Sequence, residues 1–545
     1  MKSQIKSHLI AALVTLIVAA VGFYFTLPAI SIHNPGLLLD IVILITIYCV
    51  VYLKLSKSSG GAILQRDFRA VLKTLKIPVI AAVCAVAIFA IGALWGEVIF
   101  NAKRYRELLS VETGDFQEDV DTISYNQIPT LDSASAIRLG DKKMGELSDI
   151  VSQFSVVESY YTQINYNGTP VRVTPLEYVD VFKWLNNVKD GIPGYIMINM
   201  VSQDVSVVRF SDLGCGNMKY STSEHFQRNL YRHLRFKYPT YIFEEPTFEV
   251  DDSGIPYWVC SRVDYKIGLY GGRDIGGVVL VNAIDGSSTY YPVDKVPSWV
   301  DRVYNAELII EQFDYYGTLR HGFWNSVFGQ KDCRETTDGY NYVALDDDVY
   351  MYTGVTSVAA DQSNIGFILT NQRTKETKFY EIAGAEEFSA MRSAEGEVQN
   401  LRYESTFPLL LNIGSEPTYF VALKDNAGLV KMYAMVNVRQ YQIVATGQTL
   451  RECEENYIKL IRSEGISSGA GANVKELEAP IADIRTAVVD GNSYYYFRLE
   501  NSDKYFSVSV SSNSEIVTYN ISDVVKVQYN ESESAVIPAL EITRR

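Results

Sequence analysis

The chain has 545 residues, of which 47% are apolar, 12% aromatic and 21% charged. That composition excludes a disordered or collagen-like chain, and six cysteines over this length exclude a disulfide-dense scaffold. A formal charge of −15 argues against a general nucleic-acid binder, and the length allows about three or four domains.

A mean hydropathy of +0.00 hides a segregation along the chain. Three apolar stretches, His8–Ile30, Gly36–Leu55 and Pro78–Phe100, each approach the ~20 residues of a bilayer-spanning helix. Up to Phe100 the charges are Lys2, Lys6, Lys54, Lys57, Arg66, Arg69, Lys73 and Lys76 against Asp40, Asp67 and Glu97, a net of +5, so the remainder carries −20. Two positives precede the first stretch, and six lie from the end of the second, Lys54, to the start of the third. The link Ser31–Pro35 has none. Positive loops stay cytoplasmic. The expectation is a multi-pass plasma-membrane protein with a cytoplasmic N-terminus, a hairpin of two spans and a third span leading out. Everything after about residue 100 is then extracytoplasmic. Read as a signal peptide, the first stretch lacks a small-x-small cleavage site near Pro28, and the large region would be outside all the same. Asp40 and Glu97 each lie about one turn from the outer end of a span. Snorkelling to the interface accounts for them, with an ion or substrate path as the alternative.

Beyond the spans, capping signals predict helices. One is expected over Lys142–Phe154, packing through Met144, Leu147, Val151 and Phe154. Thr174-Pro175-Leu176-Glu177 combines a capping box with Pro at the first helical position, with Leu176, Val179, Phe182, Leu185 and Val188 following and Gly191 ending the run. Ser221-Thr222-Ser223-Glu224 opens another, with Phe226, Leu230 and Leu234 on one face. Ser298-Trp299-Val300-Asp301 and Thr449-Leu450-Arg451-Glu452 open two more. Strands are expected at Pro256–Tyr265, Gly277–Ile284, Ser288–Val293, Tyr342–Ala344, Val349–Thr353, Gly366–Asn371, Lys378–Ile382, Thr418–Lys424 and Val430–Val438. The 38 tyrosines suit half-exposed sheet faces, where the ring packs and the hydroxyl stays wet.

An internal duplication organises this region. Gly277, Val279, Ala283, Ser298 and Asp301 match Gly428, Val430, Ala434, Thr449 and Glu452 at one shared offset of 151 residues. Upstream, Gly254-Ile255-Pro256-Tyr257-Trp258-Val259 echoes Gly414 to Val421, and the first copy carries an insertion at Gly268–Gly276. Candidate helices Glu224–Lys237 and Ala385–Glu395 precede the two copies. A helix, then strands through Ile255–Val259 and Val278–Ile284 ending in the turn Asn282-Ala283-Ile284-Asp285-Gly286, resembles PepSY modules. The resemblance spans about 70 residues per copy and brings no catalytic motif. It implies a cystatin-like shape and an extracytoplasmic binding, inhibitory or chaperone-like role. The second copy departs from it, because Asn437 is not followed by Gly.

The stretch 465–473 reads as a flexible linker. After it, Ile484–Val489, Ser493–Leu499, Tyr505–Val510, Glu515–Asn520 and Val524–Tyr529 predict five short strands with a turn at Asp490-Gly491-Asn492. Their spacing resembles an OB-type barrel. Its acidic residues Asp483, Asp490, Glu500, Asp503, Glu515 and Asp523 outnumber Arg485, Arg498, Lys504 and Lys526. That balance disfavours a phosphate-tracking groove and suits a structural or protein-binding barrel.

Signals for chemistry are sparse. His225 and His233 are eight residues apart, which is not metal-pair spacing on a helix. His321 reads as a helix exit. Cys215, between two glycines, could protrude as a nucleophile, with a free or bonded thiol as the plain reading. Cys215, Cys260, Cys333 and Cys453 allow three pairings and lack C-x-x-C zinc spacing. Asp346-Asp347-Asp348 lacks the alternation of a calcium loop. Gly271-Gly272-Arg273-Asp274 reads as a hairpin tip, with no Walker Lys following. No catalytic, cofactor or metal residue is therefore assigned, and the chain is not expected to be an enzyme.

The expected division is a three-helix transmembrane anchor over 1–100, a helical or α+β juxtamembrane segment over 101–215, α+β units over 216–330 and 331–464, the linker over 465–473 and a small C-terminal β-barrel over 474–545. The expected function is that of a membrane-anchored extracytoplasmic scaffold, a subunit or assembly factor of an envelope complex. Its expected partners are the lipid bilayer and other envelope proteins, with a homo-oligomer left open and nucleic acid excluded. Two alternatives are an envelope hydrolase using Cys215 or the pair Asp251 and Asp252, and a transport component with Asp40 and Glu97 in its path.

Overall fold

The computed structural model describes residues 2–55, 75–120, 128–345, 347–358, 363–464, 466, 474–489, 492–510, 513–530 and 535–544. The basic loop with Lys57, Arg66, Asp67, Arg69 and Lys73, the residue Asp346, the turn residues Asp490 and Gly491, and all of the 465–473 linker except Ile466 lie outside the described residues. The chain divides into two compact units, one of residues 1–113 with 127–381 and one of residues 114–126 with 382–545.

The first unit begins with α1 (Lys2–Thr26), α2 (Pro35–Leu55) and α3 (Lys76–Gly96). All three are long and apolar enough to cross a membrane, and their side chains are mostly exposed. Polar groups nonetheless join α1 to α2. His8 Nδ1 lies 2.6 Å from the Tyr48 hydroxyl oxygen, and the imidazole stacks on Tyr52 at 4.1 Å. The third span stops earlier than expected. Glu97 has extended backbone (φ −62, ψ 142) and separates α3 from α4 (Val98–Arg106). Glu97 is thus an exposed residue at a helix break, not a charge within a span.

Three copies of one motif follow in this unit. The first comprises α5 (Ser133–Gly145), β2 (Phe154–Val156), β3 (Thr162–Tyr166), β4 (Thr169–Tyr178), β5 (Gly194–Asn199) and β6 (Val205–Arg209), with the short α6 (Val181–Asn187) between β4 and β5. The second comprises α7 (Leu230–Lys237), β7 (Ile242–Phe243), β8 (Thr247–Val250), β9 (Pro256–Ile267), β10 (Gly271–Asn282) and β11 (Ser288–Tyr291). The third comprises α8 (Ala306–Thr318), β12 (Arg334–Thr336), β13 (Asn341–Leu345), β14 (Asp348–Ser357), β15 (Ser363–Asn371) and β16 (Thr377–Tyr380). In each copy the first two strands both pair with the third, and the third, fourth and fifth form an antiparallel meander. β1 (Val111–Thr113) adds in parallel to β16.

The second unit contains a fourth copy, α9 (Glu387–Glu397), β17 (Glu404–Ser405), β18 (Leu409–Ile413), β19 (Glu416–Lys424), β20 (Val430–Asn437) and β21 (Val444–Gly447). It continues into α10 (Leu450–Ser463) and a closed barrel of β22 (Val474–Val489), β23 (Asn492–Leu499), β24 (Tyr505–Ser509), β25 (Val524–Asn530) and β26 (Val536–Arg544). The barrel order is β22-β23-β24-β26-β25, with β24 and β26 parallel. The expected strand Glu515–Asn520 is a 3₁₀ turn, Ser514–Thr518, capped by Asn513. Ile516 is buried, and the fifth strand is β26.

One asparagine marks the equivalence of the copies. Asn199, Asn282, Asn371 and Asn437 each end the fourth strand of their copy. Each Oδ1 accepts from the backbone N–H groups two and three residues on, at 2.9–3.4 Å. The N–H following each asparagine donates to the carbonyl of Pro170, Pro256, Val349 or Pro417 at the start of the third strand. In the first three copies the residue four beyond the asparagine is left-handed: Gln203 (φ 63), Gly286 (φ 72) and Lys375 (φ 66). Each donates its N–H to the asparagine carbonyl. This is an Asx turn closing a hairpin.

Several expectations are corrected here. The duplication is fourfold, and its register differs from the offset of 151. Asn282 corresponds to Asn437, four residues away from that alignment, although Pro256 and Pro417 do occupy the same place. A slip of four preserves the inside–outside alternation of a strand, so the false register matched β-branched residues equally well. The expected boundary between 216–330 and 331–464 cuts through copy three, Ala306 to Tyr380, and the segment 101–215 holds copy one. Thr174-Pro175-Leu176-Glu177 lies in β4, not at a helix start. Thr174 Oγ1 donates to the Val157 carbonyl at 2.7 Å, Leu176 is fully buried, and β2 and β5 pair with opposite edges of the strand. The helix that follows is only Val181–Asn187, capped by Asp180. Ser221 and Ser298 open no helices either. α7 starts at Leu230 under Asn229, and α8 starts at Ala306 under Asn305. The helix expected over Lys142–Phe154 is α5, capped by Asp132 and ending at Gly145. Thr449 does cap α10, accepting from the Glu452 N–H.

In the first unit, one apolar core joins copies one and two around Trp258, Phe248, Tyr195 and Phe210. A second joins copies two and three around Phe313, Val278, Met351 and Ile368. Each fully buried large side chain stabilises the fold by roughly 1.5–3 kcal/mol.

Candidate functional site

The second copy differs from the others in reach, and this creates the most elaborated site in the first unit. β9 and β10 are twelve residues each, and their tip meets the C-terminal end of α3 and the link before α2. At that tip Gly268 is left-handed (φ 63), and a Cβ there would lie 2.9 Å from Gly96 Cα. Glycine is required by both conformation and space. Leu269 packs on Gly92, and Tyr270 meets Phe89 at 5.7 Å. The residues 268–276 read as an insertion from sequence are thus the docking end of this hairpin. Gly271-Gly272-Arg273-Asp274 begins β10 and does not form the tip.

Three further contacts fasten the same copy to the spans. His33 Nδ1–H donates to the Leu269 carbonyl (2.8 Å), and its ring stacks on Tyr265. Ile30 N–H donates to the Pro239 carbonyl (2.8 Å). Arg235 Nε donates to the Leu27 carbonyl (2.8 Å) while Nη1 serves Tyr238, Pro239 and Tyr241 carbonyls. Burial holds this guanidinium below its usual pKa. On the far side of the hairpin, Tyr105 of α4 donates its hydroxyl to the Gly96 carbonyl (2.6 Å).

Two cavities flank these contacts. One of about 480 Å³ is lined by Phe25, Leu27, His225, Arg232, Arg235 and Glu244, among others. Arg232 stacks over Tyr24 at 4.3 Å, and its buried Nε–H has no partner among the described residues. The other, about 400 Å³, is lined by Ser31, His33, Tyr241, Arg262, Asp264 and Tyr265.

The residues singled out from sequence are dispersed. Cys215 is half-buried and bonds the Phe210 carbonyl (3.6 Å). Burial pushes its thiol up, opposite to the shift that activates a nucleophile. His225 packs edge-on against Trp184, and His233 against Tyr220, with burial lowering the His233 pKa. His321 meets Asp332 at 3.0 Å. Asp251 accepts from the Ser253 and Ile255 N–H groups and so forms a turn. Asp348 is paired with Arg373. Asp40 lies in the early turns of α2. All six cysteines are free thiols. Among the described residues no group of three His, Cys, Asp or Glu side chains could hold a metal.

Sequence reasoning missed a buried carboxylate junction where the first three copies meet. Glu249 of β8 accepts from the Asp301 and Arg302 N–H groups (2.8 and 3.1 Å). Asp301 Oδ2 accepts from Asn165 N–H of β3 (2.7 Å). Arg302 reaches the Tyr342 hydroxyl of β13 (2.7 Å). Burial raises Glu249 to about 7 and lifts Asp301 well above its usual range, the neighbouring Glu249 adding to the latter. Both acids favour the protonated form in the folded state. No local pattern marks Glu249, because three separate copies must assemble to bury it.

No protein-family model and no curated protein sequence matches the chain.

Proposed function

We propose that this protein is a membrane-anchored extracytoplasmic scaffold, a subunit or assembly factor of a cell-envelope complex. The observation that carries the reading is the fastening of the second copy to the ends of the spans through Gly268 and Leu269, the backbone contacts at Arg235 and Ile30, and the His33 bond. Such a junction presents the first-unit repeats at a defined orientation to the bilayer instead of on a loose tether, as an assembly platform requires. The cytoplasmic N-terminus and exported repeats follow from the positive-inside distribution. The Asn-centred turns and the helix-then-meander order support a PepSY-like reading of the copies. The barrel order and its parallel closing pair support an OB-like reading of the C-terminal domain. Fold likeness alone does not assign an activity.

The test is site-specific photo-cross-linking from the exposed faces of the copies in intact membranes, followed by identification of captured neighbours. A reproducible envelope-protein neighbour is expected, and its recovery should fall when Arg235→Ala and His33→Ala are combined. Absence of any neighbour at all tested faces would overturn the scaffold reading.

A further inference from the structure

We infer that the aromatic loop after α8 is a lipid-contacting wedge that seats the exported region on the outer face of the bilayer. The inference rests on the membrane-anchored reading above and adds a second, non-spanning contact with lipid. Beyond Phe100, the four most exposed aromatic rings among the described residues are Phe328 (78%), Phe182 (70%), Trp324 (63%) and Phe226 (62%). Burial of aromatic rings is strongly favourable in water, so four such rings left open need a partner surface.

Their positions identify that surface. α4 starts two residues after the end of α3. Val98 and Ala102 of α4 pack with Tyr105, Ile267 of the docking hairpin, and Tyr315 and Leu319 of α8. Arg106 also donates to the Arg320 carbonyl (3.2 Å). The C-terminal end of α8 is therefore held beside the exit of the third span. Trp324 follows Leu319 by one short turn, and its ring stacks on Phe328 at 5.9 Å, so the two form one apolar projection. Asn325 fixes the base of that loop, its side chain bonding both the N–H and the carbonyl of Lys331.

Phe226 is tied to the exit of the first span in the same way. Its carbonyl accepts from Arg232 (2.9 Å), the residue whose guanidinium covers Tyr24 near the end of α1. Trp324 and Phe328 thus lie beside the exit of the third span and Phe226 beside that of the first, the level where aromatic side chains prefer to sit, between headgroups and acyl chains. The loop is bracketed by Arg320 and Lys331, and α4 adds Lys103, Arg104 and Arg106. Cationic side chains beside interfacial aromatics match anionic lipid headgroups.

The experiment uses the full-length protein in vesicles of phosphatidylcholine and phosphatidylglycerol containing a photoactivatable phospholipid. After irradiation, tryptic peptides are mapped for lipid adducts. The peptide Ile77–Lys103 reports the third span and His321–Lys331 reports the loop. Adducts on both are expected. The pair Trp324→Ser with Phe328→Ser should reduce the loop adduct to background while leaving the span adduct intact. Arg320→Glu with Lys331→Glu, in which trypsin releases the loop within Val303–Arg334, should remove the preference for phosphatidylglycerol over phosphatidylcholine. Adducts on the span alone would overturn the wedge and leave the anchor standing. Adducts on neither would overturn the anchor itself. A protein cross-link at His321–Lys331 in native membranes, with no lipid adduct there, would also overturn the wedge.

Discussion

The second and fourth copies share topology and the asparagine turn, yet only the second carries the long β9–β10 hairpin that docks on the spans. In the fourth copy the corresponding strands, β19 and β20, are nine and eight residues long. They are joined by a tight turn in which Asp425 accepts from the Ala427 and Leu429 N–H groups. The comparison separates what the motif needs to fold from what one copy has added. The asparagine turn and the inner faces belong to the motif. Gly268, Leu269 and Tyr270 belong to the docking role.

The largest effect is expected where that role is concentrated. Gly268→Val combines a left-handed backbone with a close approach to Gly96 and should cost about 2–4 kcal/mol. Gly428→Val in the fourth-copy turn (φ 71) should cost about 1–2 kcal/mol of backbone strain. Thermal unfolding of the two variants checks this, and equal losses would remove the distinction. Replacing residues 267–271 by the short turn of the fourth copy should leave the meander folded. The spans would then be separable from it by limited proteolysis. Persistent protection would mean that the Arg235 and Ile30 contacts suffice for docking.

Shared features should respond alike. Asn282→Ala and Asn437→Ala each remove an acceptor for two backbone N–H groups, at an expected cost of about 1–3 kcal/mol. Asp at either site should recover part of the loss, because a carboxylate accepts the same bonds. A loss confined to one copy, read by hydrogen exchange at the turn, would break the equivalence.

A smaller effect should distinguish the three-copy junction by pH. Glu249 and Asp301 have raised pKa values in the folded state, so the folded state binds more protons than the unfolded one between the two titrations. Their contribution is fully present below the ordinary carboxylate range and is lost as pH rises through about 7. The first unit should therefore melt at a lower temperature at about pH 8 than at about pH 5, and Glu249→Gln should flatten that difference. An unchanged slope in the variant would place the pH dependence elsewhere.

Much of this architecture was legible locally. The three long apolar helices follow from length and hydropathy, which make each long and apolar enough to cross a bilayer. Thr449 and Glu452 cap α10 as their spacing indicates, because that helix end is exposed and its local capping bonds meet no competition. The principal hairpin strands, including Pro256–Ile267 and Val430–Asn437, follow from β-branched and aromatic alternation.

The rest depended on tertiary packing. Thr174 to Glu177 carry a sound helix-start pattern, but pairing on both edges and full burial of Leu176 outweigh a cap worth about 1 kcal/mol. The fourfold repetition escaped a fixed-offset comparison because the asparagines recur at unequal spacing, and strand alternation tolerates even slips. The buried carboxylates and the docking hairpin are assembled from residues far apart in the chain. Sequence by itself determined which segments are apolar enough to span a bilayer and which can pair as strands. Only the tertiary structure decided how many times the motif recurs and which copy grips the spans, because those outcomes depend on contacts that exist only once the chain has folded.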